Sequence, residues 1–293
     1  MKYITKPMAI LILSLIVGVL VSCSKKEENT TPPTIELIAE QGFITDHSLV
    51  GPAQEMKFKI NSQSNGTHVL TNFIVTSNGV RAVDEGINTD SFVRDIVLNK
   101  NSEPQEIIEF VVRDIDGKEA KCSVTITLDE SAGDTEPIWY SNVVLKAQGV
   151  EDGQGFISLA NGSLFTLEGA RANQGIINMV YYYDTVESDA NTISSPGANI
   201  DNSIIAGLSD WITRNTSRFI AKEMTQEEFE EINSVLFLVD AYPTTGNRKA
   251  KNLKVGDVFA FKDEARNKFG MFRVYGVEGE TQGQITISVV IQP

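Results

Sequence analysis

The chain is short of the residues from which most enzyme sites are built. Its 293 residues include two cysteines and two histidines. His47 and His68 fall on predicted loops, with none of the Cys, His or Asp spacing of a zinc site around them, so no metal is expected. Beyond residue 137 there is neither histidine nor cysteine, which excludes His-assisted serine or cysteine nucleophiles from the second half. Gly153-Gln-Gly155 lacks the third glycine of a dinucleotide fingerprint. No phosphate loop and no Gly-x-Ser-x-Gly elbow occurs, and no cofactor is expected. Basic residues are also in deficit, 25 Lys and Arg against 39 Asp and Glu. The net charge of -14 argues against nucleic acid, whose phosphates must be neutralised by cations. Cys122 alternates with Val124, Ile126 and Leu128 on one strand face, where a free cysteine packs as a small hydrophobe.

What the chain does have begins at its first residue. Met1, Lys2 and Lys6 precede an apolar run from Met8 to Val21, and Ser22-Cys23 come next. The run is about 14 residues, short of the roughly 20 that a spanning helix needs, and the pattern is that of a secretory signal peptide over residues 1–22. Leu20-Val21-Ser22-Cys23 resembles the bacterial lipobox. That resemblance implies cleavage before Cys23 and its acylation; two or more acyl chains hold a protein firmly to a membrane where one does not. Lys25-Lys26-Glu27-Glu28 resembles the acidic export signal of surface lipoproteins of Bacteroidota, which implies an outer-membrane lipoprotein exposed at the cell surface. The membrane, through the lipid, is the first expected partner.

Residues 23–33 are charged, Thr-rich and end in Pro-Pro, the composition of an extended tether. From 34 to 128 apolar residues alternate: Ile35, Leu37 and Ala39; Met56, Phe58 and Ile60; Thr71, Phe73 and Val75; Phe92, Ile96 and Leu98, with Arg94 interrupting that face. Such alternation predicts half-buried strands, separated at Ser64-Asn65-Gly66, Ser77-Asn78-Gly79 and Asp116-Gly117. The Asp-Gly step between two β-branched runs predicts a hairpin with a type I′ turn. This closing hairpin resembles that of bacterial immunoglobulin-like and PKD-like modules, and some seven strands suit a β-sandwich. Residues 129–137, acidic and rich in small residues, read as a linker.

From 138 to 293 the pattern changes. Ile176 to Asp184 is apolar on both faces and reads as a central strand. Thr225-Gln-Glu-Glu228 is a capping box, and Phe229, Ile232 and Leu236 beyond it form one helical stripe. Three strands near 255–262, 269–276 and 284–291 predict a meander. The expected fold is mainly β: an N-terminal immunoglobulin-like β-sandwich followed by an α+β C-terminal domain. The Tyr-Tyr-Tyr-Asp, Trp-x-Thr-Arg-Asn and Val-Gly-Asp-Val-Phe-Ala-Phe-Lys segments resemble a domain of uncharacterised surface lipoproteins of Bacteroidota, a family that brings a location and no chemistry.

Glycan sites pair exposed aromatic rings with polar groups that read hydroxyls. Trp211, Arg214, Asp210, Tyr182 and Trp139 supply those types and are the candidate ligand-binding residues. For most of these rings a place in the core is the favoured reading, since aromatic side chains bury large areas. Asp184, Asp210 and Asp257 are the acids best placed for a two-carboxylate hydrolase. The expectation is a non-enzymatic binding module for a glycan or host ligand, presented on the sandwich as a spacer. The alternative is a structural or assembly subunit for another envelope protein, and a glycoside hydrolase comes third.

Overall fold

The computed structural model describes residues 31–185 and 189–293. The expected signal peptide, the lipid-bearing Cys23 and the export residues Lys25, Lys26, Glu27 and Glu28 lie outside the described residues.

The first eight strands are β1 (Thr34–Leu37), β2 (Ser48–Val50), β3 (Glu55–Gln63), β4 (Leu70–Ser77), β5 (Val80–Thr89), β6 (Ser91–Asn99), β7 (Gln105–Asp114) and β8 (Glu119–Leu128). They form a three-stranded sheet, β1-β3-β6, and a five-stranded sheet, β2-β8-β7-β4-β5. The two close over one core in which Met56, Phe58, Ile60, Phe73, Val75 and Phe110 are wholly buried. This is an immunoglobulin-like sandwich, and its inward faces are the period-two residues of the sequence. Arg94 stays on the inward-leaning face because its guanidinium lies 5.4 Å over the Phe92 ring and 5.7 Å over Phe73, while Glu85 takes its charge.

Two turns show how local chemistry sets register. Asn78 and Gly79 both have positive φ, 47° and 80°, as a type I′ hairpin between β4 and β5 requires. The Asp116-Gly117 turn differs from the expected type I′, because only Gly117 is left-handed there, with φ 80°. The buried Asp114 carboxylate accepts the amides of Asp116 (3.0 Å) and Lys118 (2.9 Å), which closes a longer loop. Cys122 leans on the sandwich core, and burial pushes its thiol up to about 11, so it stays protonated at neutral pH.

The second half contains β9 (Ile138–Lys146), β10 (Phe156–Ile157), β11 (Leu164–Phe165), β12 (Met179–Tyr182), β13 (Thr192–Ser194), β14 (Ser217–Lys222), β15 (Lys249–Ala250), β16 (Val258–Asp263), β17 (Lys268–Glu278) and β18 (Gln284–Ile291). Helices α1 (Leu167–Ala172), α2 (Gln226–Glu230) and α3 (Val235–Asp240) are each one or two turns long. The sheets run β14-β16-β17-β18-β9 and β11-β10-β12-β13-β15. They face each other across a core that includes Tyr181, Phe219, Phe261 and Phe272. Every residue of β12 is buried, and it occupies the centre of its sheet. The other face of the long sheet carries α2 and α3 through Phe229, Leu238, Val239, Val258, Ala260 and Met271.

The expected single helix after Thr225 is two helices. The capping box at Thr225 and Glu228 forms, but Ser234 starts a second helix by accepting the Phe237 amide at 3.0 Å. The stripe therefore shifts, and Val235, Leu238 and Val239 are buried instead of Leu236.

Contacts join the sandwich to the second half. Ala53 sits in the cluster formed by α2 and α3. Ser102 donates its amide to Asp240 at 3.0 Å, and Asn267 donates to Asn99 at 2.8 Å. Within 129–137, the Asp134 carboxylate accepts Ser234 Oγ at 2.5 Å and the Leu236 amide at 3.2 Å, and Thr135 accepts the Val235 amide at 3.0 Å. Limited proteolysis separates a flexible linker from a fastened one. The expected outcome is slow cutting near 129–137 that accelerates in Asp134→Ala, since cleavage of a bonded segment waits on local opening. Rapid cutting of the unaltered chain, with no change in the variant, would favour the flexible linker.

Candidate functional site

Two cavities stand out. One, of about 670 Å³, opens between β10, α1 and the 204–206 turn, with Gln148, Gly155, Leu167, Arg171 and Ile205 among its walls. Two of its polar side chains serve the protein itself. Gln148 bonds both backbone groups of Tyr183, at 2.7 and 3.0 Å, and Arg171 donates to the Ala206 carbonyl at 3.2 Å.

The other cavity, of about 450 Å³, lies at the seam of the sandwich and the second half. Its sandwich wall comes from the β4–β5 turn, the end of β6 and the loop 99–106; its opposite wall comes from β14, β16, β17 and the segment after α3. The 99–106 loop is held from beneath. Lys100, with no exposed surface, donates to Glu106 at 2.9 Å, to the Glu103 carbonyl at 2.6 Å and to Asn101 O at 2.9 Å. Glu106 also accepts Ser77 Oγ at 2.6 Å and the Asn101 amide at 3.2 Å. A buried ammonium and carboxylate are thus mutually satisfied, and the loop is fixed as a wall.

The opposite wall carries a row of side chains across three strands. Arg218 of β14, Lys262 of β16 and Phe269 of β17 are successive cross-strand partners. Arg218 Nε donates to Glu264 at 2.5 Å and its Nη1 to the Gly246 carbonyl at 3.2 Å. The Lys262 ammonium lies 5.1 Å over the Phe269 ring and makes no hydrogen bond or ion pair within the described residues. Burial holds its pKa below the ordinary lysine value, with Glu264 pulling the other way. Ser102, Thr244 and Thr245 line the same space, and their hydroxyls make no hydrogen bond to the protein among the described residues. Such a site can receive a small polar molecule through groups already held in place.

The sequence candidates are not gathered here, and none of them lines either cavity. Trp211 is buried, tilted onto Phe156 with ring centroids 5.7 Å apart. Tyr182 is wholly buried in the same cluster. Their candidate role as stacking platforms is corrected in favour of the core reading: the chain from 198 to 211 folds over the outer face of the short sheet, and these rings fill it. Trp139 is half-buried and packs edge-to-face on Phe229 at 5.4 Å. Asp210 and Arg214 are exposed. Asn215 of the same motif is a brace whose Nδ2 donates to the carbonyls of Gly175 and Ile177, both at 2.9 Å.

Arg218 and Lys262 were missed because cross-strand pairing is not written in local sequence. One signal was available: Lys262 continues the period-two face of Val258 and Ala260, where a cation interrupts an apolar row. Among the described residues, no group of three or more His, Cys, Asp or Glu side chains is arranged to hold a metal ion.

No family model matches the chain, and no curated protein matches it. Among solved structures it is similar to a DUF4466 family protein from Parabacteroides merdae. That pair is 13% identical over 89% of this chain and 98% of the other, with a TM-score of 0.35. It is also similar to the fibronectin(III)-like modules of CbhA from Clostridium thermocellum, 15% identical over 34% of this chain and 48% of that one, with a TM-score of 0.26. A CARDB domain from Pyrococcus furiosus is 14% identical over 33% of this chain and 96% of its own length, with a TM-score of 0.25. At scores this low the likenesses carry no argument about what this chain does.

Proposed function

We propose that this chain is a non-enzymatic binding module of the bacterial outer-membrane surface. It is tethered through acylated Cys23 and takes its ligand, a glycan or host molecule, in the seam groove. The observation that carries the reading is the groove itself, a space of about 450 Å³ lined by Lys262, Arg218, Ser102, Thr244 and Thr245. The acids there do not favour glycoside hydrolysis. Glu106, Asp240 and Glu264 already accept bonds from Lys100, the Ser102 amide and Arg218, which leaves Glu103 as the one acid of the lining whose carboxylate is unengaged among the described residues.

The rival reading, an assembly subunit for an envelope protein, rests on a different place. Ile212 is 98% exposed and Ile176 44%, on segments tied together by Asn215 and by the Thr213 amide on Gln174 at 3.1 Å. A rigid apolar knob of that kind suits a protein partner better than a sugar.

Two measurements test the proposal. Mass spectrometry of the native N-terminus is expected to find an acylated Cys23, and Cys23→Ala is expected to leave the membrane fraction; an intact 1–22 segment ends the lipoprotein reading. A glycan array and pull-down with the soluble chain 24–293 separates the two partner classes. Retention of one envelope protein that is lost in Ile212→Asp, with no glycan signal, would favour the rival.

A further inference from the structure

The cation row of the seam groove deepens this reading, on which it rests. Arg218 and Lys262 are direct cross-strand partners in an antiparallel sheet, and their side chains line the same cavity. Like charges placed opposite each other on one sheet face oppose folding. Glu264, in the same lining, answers the two unequally: it bonds Arg218 directly, while Lys262 has no hydrogen-bond or ion-pair partner among the described residues. Lys262 is also drawn back from water, over the Phe269 ring. A lysine that served only solubility would extend into solvent and snorkel away from its neighbour.

Elsewhere in the lining the chemistry inverts. Glu103 and Asp240 bring carboxylates there, and Asp240 is tied to the loop of Glu103 through the Ser102 amide. Asp240 uses one oxygen on the Ser102 amide, which leaves the other able to accept. The groove thus offers charge-assisted donors at one end and hydroxyl-reading acceptors at the other.

We propose that the seam groove binds a singly acidic saccharide, its carboxylate received by Lys262 and Arg218 and its hydroxyls by Asp240, Glu103 and the threonines after α3. A carboxylate between two cations gains two charge-assisted hydrogen bonds and cancels the repulsion built into the sheet. A second acid group on the ligand would meet Glu103 and Asp240, so densely sulfated chains are disfavoured.

The test uses the soluble chain 24–293 with glucuronic-acid oligosaccharides, the same oligosaccharides after carboxyl reduction, and heparin. Calorimetry is expected to show binding of the acidic probe at least ten-fold tighter than of its reduced counterpart and of heparin. That preference should weaken in raised salt, vanish in Lys262→Met and return in Lys262→Arg. Thermal melting without ligand gives an independent reading. Lys262→Met is expected to raise the melting temperature, because it removes a like-charge pair. Equal binding of acidic and reduced probes, or binding of none of the three, overturns the acidic-ligand inference; the binding-module reading stands or falls on the glycan array and pull-down. A Lys262→Met chain that melts well below the parent overturns the inference as well, since it makes Lys262 a packing residue.

Discussion

Glu106→Gln is expected to destabilise the folded chain by about 3–5 kcal/mol, the loss seen when one member of a buried ion pair is removed. Lys100 has no exposed surface and Glu106 is 2% exposed, so the remaining ammonium keeps its charge away from water with only carbonyl and amide oxygens to receive it. Against a net stability of about 5–15 kcal/mol for a whole domain, the change is large. It reads out as a lower denaturant midpoint at unchanged slope. The double variant Lys100→Met/Glu106→Leu is expected to recover most of the loss, because apolar side chains of similar volume need no partner there. A midpoint shift worth less than about 1 kcal/mol would class the pair with exposed ones and contradict the burial described above. The pair also sets the loop bearing Asn101, Ser102 and Glu103, so the variant should weaken any ligand of the seam groove even in chains that remain folded.

Trp211→Ala is the second large effect, and it acts on stability. The ring is 5% exposed and tilted onto Phe156, so its truncation leaves a cavity worth about 3–5 kcal/mol. The indole N–H finds no acceptor among the described residues. Trp211→Phe keeps an aromatic ring on Phe156 and drops that N–H, and it is expected to recover most of the loss. Arg214→Ala, three positions on and exposed, is expected to stay within about 0.5 kcal/mol of the parent. Loss of ligand binding in Trp211→Ala then tracks the unfolded fraction seen by circular dichroism. Loss of binding in a fully folded Trp211→Ala chain would return the ring to the ligand site.

The strands were legible because their faces are written at period two. Met56, Phe58 and Ile60 point one way in any sheet that holds them, and the doubly apolar run at Met179–Tyr182 had to be covered on both sides. Capping was legible for the same local reason, in Thr225 with Glu228. What escaped was decided by distant partners. Whether Trp211 faces water or Phe156 depends on where the chain from 198 to 211 lies down, and nothing within a few residues of Trp211 fixes that. The helix break at Ser234 depends in part on Asp134, a hundred positions earlier. The seam groove is the extreme case, since its two walls come from stretches about a hundred positions or more apart in the chain.

That split construction bears on how such a site changes over generations. The cation row comes with β14, β16 and β17, while the loop 99–106 facing it is supplied by a separate sandwich. Recombination that exchanges the sandwich would keep the acid-receiving end, with Asp240 and the threonines after α3, and replace Ser102 and Glu103. Drift in the three residues Asn101, Ser102 and Glu103 would retune selectivity without disturbing a single strand, because the buried lysine beneath them carries the loop's fold. Neither half inherited alone would possess the site.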